Sequence, residues 1–370
     1  RGKDLAGRLN FETLEHNLAR LGGDEFTVLL SGTKSAINIG KVAERLIEAI
    51  EVPFDFDGKE HHISASVGVA VFPGDGNNTE DLIKHADLAM YQAKKKGKGC
   101  FEFYSKEISN IVLERSHLEQ RMRVALEEGN FKLFYQPIIN SKTQEIASLE
   151  ALIRWEDAEL GDVSPGHFIP VAEEVGLINA IGSWVLQEVC QQLRAWQDSG
   201  AMGLKVAVNV SGKQLEKSDF SDQVLNNLKK HNVPPDSLYL ELTESAVIHG
   251  EEGVLATLRN LQKIGVKIAL DDFGTGYSSM KYLKQFPITK LKIDRSFIMD
   301  ISSSKQSREI VSAIIAMAKA LNISITAEGV ETKEQEELLE KMACEHAQGF
   351  LYSPAIRVND FNNLILAKLQ

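Results

Sequence analysis

Between Phe131 and Phe350, short β-rich runs alternate with helical ones, and this alternation constrains the chain more than any other feature. The strands it predicts are Leu133 to Ile138, Glu145 to Trp155, Lys205 to Val210, Leu238 to Leu242, Lys267 to Leu270, Lys290 to Ile293, Ser324 to Ala327 and His346 to Phe350. Eight strands over about 240 residues, most followed by a helix, is the arithmetic of a (β/α)8 barrel. Only the polar stretch Asn140 to Gln144 separates the first two, which suits an antiparallel hairpin better than a βαβ crossover. The expected fold class is α/β, a modified TIM-like barrel with one antiparallel strand.

The chain has 370 residues, enough for a second, smaller domain ahead of the barrel. Leu5, Leu9, Leu14, Leu18 and Leu21 recur at roughly helical spacing, Gly22 and Gly23 make a tight turn, and Phe26 to Leu30 follows as a strand. A helix over Ala36 to Ile50, a β-rich run from His62 to Phe72 and a helix within Asn78 to Lys96, N-capped by Thr79, complete a small α+β module. A long helical pattern from Ser105 to Glu128 connects it to the barrel. The domains expected are 1–104 and 105–370, the linker helix counted with the second.

Composition narrows function. A formal charge of −11 argues against non-specific binding to nucleic acid or anionic membrane, so any anionic substrate needs a local cationic or metal site. Cys100, Cys190 and Cys344 are few, odd in number and far apart, which fits a reducing compartment and not a cysteine zinc site. The apolar stretch from Ile310 to Ala318 is too short for a membrane span. The expected location is the cytoplasm, or the cytoplasmic part of a membrane-anchored sensor, since the sequence starts at Arg1 and an anchor or sensor domain could precede it.

Barrel enzymes draw their sites from the C-terminal ends of several strands, and here those ends are mostly acidic. Alternation puts Glu150, Leu152 and Arg154 on one face, and pairs Ala207 with Asn209, Tyr239 with Glu241, Ala269 with Asp271, Lys292 with Asp294 and Thr326 with Glu328. A crowd of Glu150, Glu241, Asp271, Asp272 and Glu328 would raise its own pKa values, and Lys292 and Arg154 are too few to balance it. Oxygen-only ligands suit Mg²⁺ or Mn²⁺, and the nine histidines show no metal-ligand spacing; His61 and His62 read as surface residues and His346 as packing or support. Adjacent Asp271 and Asp272 before Gly274 and Gly276 suit a two-metal site, one carboxylate bridging and its neighbour reaching the second ion. Residues alone lead to a two-metal hydrolase of phosphate esters, or to an enolase-like barrel using Lys292 as a base beside one metal.

The barrel region carries, in order, Tyr135-Gln136-Pro137, Glu150-Ala151-Leu152 with Arg154, Asn209-Val210-Ser211, Glu241-Leu242-Thr243-Glu244, Asp271-Asp272-Phe273-Gly274-Thr275-Gly276, Lys292-Ile293-Asp294, Ala327-Glu328-Gly329 and Gln348-Gly349-Phe350. These ordered motifs resemble those of the EAL-domain phosphodiesterases, which hydrolyse the bacterial second messenger cyclic di-GMP to linear pGpG. The resemblance implies that Glu150, Asn209, Glu241, Asp271, Asp272 and Glu328 hold two Mg²⁺ or Mn²⁺ ions, with Asp271 bridging. It implies that Lys292 orients the attacking water, that Glu150, Asp272 and Glu328 act with it in catalysis, and that Gln136, Leu152, Arg154, Asp294 and Gln348 bind the dinucleotide. It further implies a regulatory loop of Phe273, Gly274, Thr275 and Gly276 braced by Glu244, and a homodimer through the barrel.

The first module resembles the GGDEF diguanylate cyclases through Gly22-Gly23-Asp24-Glu25-Phe26, Ser66 to Ala70, and Ala86-Asp87 to Gly97-Lys98. Cyclases carry a metal-binding Asp and a guanine-binding Asn/Asp pair well upstream, and only 21 residues precede Gly22 here. Thr13 and His16 replace the Arg and Asp of the product-inhibition motif. The resemblance thus implies a partial, regulatory GGDEF-like domain, with GTP as its possible ligand, ahead of a working phosphodiesterase. The alternatives are a silent cyclic di-GMP receptor that signals through the Ser105 to Glu128 helix, and a bifunctional cyclase and phosphodiesterase.

Overall fold

A computed structural model of the chain describes residues 18–32, 35–56, 59–244, 246, 252–274 and 285–362. The chain forms two compact units, Arg1–Gln120 and Arg121–Gln370. In the first, β1 (Leu18–Gly22) and β2 (Glu25–Val28) form an antiparallel hairpin. The helical reading of the leucine spacing therefore fails at Leu18 and Leu21, while Leu5, Leu9, Leu14, Thr13 and His16 lie outside the described residues. A two-residue turn at Gly23 and Asp24, with Gly22 opposite Glu25, satisfies the backbone by cross-strand pairing, and that overrides a spacing that also fits a helix.

Helix α1 (Ala36–Glu51) precedes a short hairpin of β3 (Phe54–Phe56) and β4 (Lys59–His61). Strand β5 (Val67–Val69), helix α2 (Thr79–Lys95) and β6 (Phe101–Phe103) make a parallel crossover. The N-cap of α2 is Asn78, not Thr79: its side chain accepts from the Asp81 amide at 2.9 Å. Ala43, Val69 and Phe103 form the core of this unit. His61 and His62 are exposed, as their sequence position suggests. The long helix α3 (Lys106–Glu128) follows, and the division between units falls inside it.

In the second unit eight strands close a barrel. They are β7 (Phe131–Asn140), β8 (Ile146–Asp157), β10 (Val206–Asn209), β11 (Leu238–Thr243), β12 (Lys267–Phe273), β13 (Lys290–Ile293), β14 (Ser324–Ala327) and β15 (His346–Ala347). Neighbours from β8 to β15 run parallel. Only β7 is reversed, pairing antiparallel with β8 and with β15, so the barrel is the predicted one with one antiparallel strand. Among the described residues, two short strands lie outside the ring: β9 (Gly161–Val163) on β8 and β16 (Ile356–Arg357) on β7.

The helices between strands are amphipathic and cover the barrel. Helix α4 (Pro165–Val175) starts with proline at its first turn and stops at Gly176 in the left-handed region, φ 79°. Helix α5 (Ile178–Asp198) buries Ile181, Val185, Val189, Leu193 and Trp196, one stripe at near-helical period. Among the described residues no single helix is long and apolar enough to cross a membrane. Within the second unit, Arg121 of α3 grips the Asp157 carboxylate at 2.9 and 3.1 Å, while Met122 and Ala125 are fully buried.

Candidate active site

Parallel strands end at one mouth, and alternation turns their last inward side chains toward a common centre. At that centre sits Lys292 of β13, 1% exposed. Its Nζ lies 3.2 Å from Glu150, 2.7 Å from Glu241, 3.3 Å from Asp271 and 2.6 Å from Glu328. The amides of two other strand ends orient Glu150: Asn209 donates at 2.8 Å and Gln348 at 2.7 Å. Gln348 also donates to Gln136 at 3.0 Å, and Gln136 donates to the Ser353 carbonyl at 3.0 Å.

Strict alternation would send Asp271 and Asp272 to opposite faces of β12. The pairing of β12 with β13 slips between Leu270 opposite Leu291 and Phe273 opposite Ile293, so one extra residue is accommodated there. Asp272 takes φ 55°, the left-handed region that a non-glycine residue rarely enters. This bulge re-aims its side chain, and carboxylate oxygens of Asp271, Asp272 and Glu328 come within 4.8 Å of one another. Glu150, Glu241 and Asp271 form a second such group, and Asp271 belongs to both.

The electrostatics follow from five carboxylates around one ammonium. Burial pushes Glu150 up, but Lys292 and the hydrogen bonds from Gln348 and Asn209 outweigh it and hold the carboxyl below its ordinary range. Burial, with Glu150 and Asp271 nearby, drives Glu241 well above it despite Lys292. Glu328 is pushed up to about 8 by burial and by Asp271 and Glu150. Asp272 is raised by burial, Asp271 and Asp294. Lys292 itself is raised, its carboxylate partners overcoming desolvation. One layer deeper in the barrel, burial pulls Lys290 down to about 8.

Two divalent ions fit this donor set. All the clustered donors are hard oxygens, and Glu241 Oε1 is a buried carboxylate oxygen with no hydrogen-bond partner. A buried acceptor without a donor is costly, and a cation is a natural partner for it.

The other predicted residues sit around the mouth. Leu152 and Arg154 extend β8 outward, and Arg154 donates to the Ile153 carbonyl at 2.8 Å. Asp294 caps helix α6 (Arg295–Met299) by accepting from the Ser296 amide at 3.0 Å. Glu244 is buried and accepts from the Gly274 amide at 3.3 Å. Gly274 has φ 100°, and a Cβ there would meet Phe297 Cε2 at 2.8 Å, so the position after Phe273 requires glycine. Thr275 and Gly276 lie outside the described residues. His346 is half-buried, its Nδ1 3.3 Å from the Ile325 carbonyl, in a packing position below the mouth. Sequence reasoning overlooked Phe134 and Arg357, which flank Gln136 and Arg154; their adjacency depends on β16 pairing with β7 across more than two hundred residues, a contact no local pattern signals.

Residues 119–355 match the family described as EAL domain, and residues 6–100 match that described as diguanylate cyclase, GGDEF domain. The bifunctional diguanylate cyclase/cyclic di-GMP phosphodiesterase MucR of Pseudomonas aeruginosa is 42% identical over 337 residues, which is 91% of this chain and 49% of MucR. The cyclic di-GMP phosphodiesterase PdeR of Escherichia coli (strain K12) is 41% identical over 345 residues, 92% of this chain and 51% of PdeR. A solved structure of the PaMucR phosphodiesterase in complex with c-di-GMP superposes with a TM-score of 0.64 at 42% identity, covering 66% of this chain and 99% of that one. The chain spans about half the length of the curated relatives it matches. With the EAL family matched over more than half of its length and the GGDEF family matched ahead of it, the chain belongs to the GGDEF–EAL proteins.

Proposed function

We infer that this chain hydrolyses cyclic di-GMP to linear pGpG. The observation that carries the reading is the closure of Glu150, Glu241, Asp271 and Glu328 around one buried lysine at the barrel mouth. Glu150, Asn209, Glu241, Asp271, Asp272 and Glu328 would hold two divalent cations, Mg²⁺ or Mn²⁺, and Asp271 belongs to both groups of clustered carboxylates. When bound, these cations supply an activated water and neutralise charge that develops on the phosphate.

The chain's own residues do the rest. Asn209 and Gln348 fix the Glu150 carboxylate by donating to its two oxygens. Lys292 restrains the carboxylates of four strands and, as a protonated donor, orients the water in line with the scissile P–O bond. Arg154, Gln136, Leu152, Asp294 and Gln348 bind the dinucleotide, Arg154 meeting a phosphate with a planar fork of donors. Glu244, accepting from the Gly274 amide, braces the start of the regulatory loop, which would couple metal binding to a homodimer of the barrel.

The chain spans 49% of MucR, which leaves room for further sensor domains outside these residues, and we place its action in the cytoplasm. Residues 1–104 form a GGDEF-like regulatory domain, with GTP as its ligand, and residues 105–370 carry the phosphodiesterase. A receptor that binds without cutting needs no metal ligands, whereas the residues here fit two ions. Glu150→Gln and Lys292→Ala are expected to lower kcat by at least a hundredfold with unchanged circular dichroism. Full turnover in both variants would overturn the reading.

A further inference from the structure

The β7–β8 ribbon carries the site's inner face outward beyond the catalytic layer. Directly opposed residues of an antiparallel pair share a face, and the pairs are Gln136 with Glu150, Phe134 with Leu152 and Lys132 with Arg154. Gln348 bonds both members of the first pair, which fixes that face as the one lining the mouth. Phe134 is therefore one pair, roughly 7 Å along the strand, above the catalytic layer.

Strand β16 adds a third residue to this level, Arg357, paired with Phe134. The Arg154 and Arg357 guanidinium carbons lie 5.7 and 5.6 Å from the Phe134 ring centroid, so one ring holds two cations by cation–π contact. Arg357 is also held by Glu156, at 2.9 Å, yet its side chain stays 59% exposed, with donors left for a ligand. In a chain of net charge −11 this pair of guanidiniums forms a local cationic rim above the acidic centre.

We infer that Phe134 and Arg357 form the outer wall of the substrate site, and that Arg357 reads the guanine of the nucleotide not being cleaved. This rests on the proposed function. A guanidinium can donate two N–H groups to guanine O6 and N7, whereas adenine puts an N6–H₂ donor where guanine has O6 and so repels the same fork. Phe134 pre-orients the fork and Glu156 restrains it. Arg357 is thus a specificity-determining residue, lying outside every motif in the sequence.

The test measures equilibrium binding of cyclic di-GMP and cyclic di-AMP to the full chain in EDTA, beside a Mg²⁺ turnover assay of the wild type. Arg357→Ala and Phe134→Leu are expected to weaken cyclic di-GMP binding about tenfold and leave cyclic di-AMP binding unchanged, with Arg357→Lys restoring only part of the loss. Unchanged cyclic di-GMP binding in Arg357→Ala overturns the inference, and so does an equal loss for both dinucleotides. Wild-type binding with guanine preference but no pGpG would refute the phosphodiesterase reading and leave this inference standing. Wild-type turnover with normal binding by Arg357→Ala would do the reverse.

Discussion

Lys292 pairs with four carboxylates from four strands, and its burial makes each pair matter. A surface lysine would add little, because water screens it. Here removing the ammonium leaves buried charges without a partner, at about 3–5 kcal/mol. Lys292→Met is therefore expected to lower the urea midpoint of the metal-free protein sharply and to regain part of the loss in Mg²⁺; an unchanged midpoint would show that the cluster is stabilised elsewhere. A second consequence concerns pH. The Glu328 carboxyl sits at about 8 when folded, against an ordinary value of 4.5. Between those values the unfolded chain has released this proton and the folded one has kept it, so stability should fall as pH rises from roughly 4.5 to 8. Divalent cations bind the ionised form and should offset that loss, so Mg²⁺ should raise Tm more at pH 8 than at pH 5.5. Equal shifts at both values would contradict the assignment. The acidic residues themselves were readable from the sequence, because strand alternation alone aims Glu150, Glu241, Asp271 and Glu328 inward. The number of partners a single lysine could satisfy was not: Lys292 alone bridges four of the five, and Arg154 bonds elsewhere.

Elements place these groups through irregularities as much as through regular pairing. The bulge in β12 gives one strand two inward carboxylates, and the Gly349 contact sets Gln348. A Cβ at Gly349 would lie 2.1 Å from the Val330 carbonyl oxygen, a backbone atom that cannot swing aside. Gly349→Ala is expected to cost about 1–3 kcal/mol and, by shifting Gln348 away from Glu150, to reduce kcat. A thermal melt and a rate measured on the same sample check this; wild-type values in both would mean that the strand end relaxes freely. The long, strongly patterned elements were readable: α1, α3 and the barrel strands lie close to their predicted ranges. The two- and three-residue strands β3, β4, β9 and β16 were not, since so short a run carries no measurable period. Of the hairpin, β2 stands where the sequence puts a strand, whereas β1 departs from the helical spacing for a physical reason, that leucines three to five apart satisfy a helix equally well until a turn supplies cross-strand partners.

At the scale of the whole chain, two compact units with separate cores should unfold separately. Calorimetry of the full chain is expected to show two transitions, and cyclic di-GMP with Mg²⁺ should raise only the one belonging to Arg121–Gln370. A single transition moved as one would place ligand energy in both units. The chemistry, however, rests on one claim, that the acidic mouth of the barrel cuts a cyclic dinucleotide with divalent metal. The most direct measurement is a chromatographic time course of cyclic di-GMP with the full chain, in Mg²⁺ or Mn²⁺ and in EDTA. pGpG should accumulate with either metal and stop in EDTA. Intact cyclic di-GMP at every time point despite metal, or pGpG formed equally in EDTA, would contradict the claim.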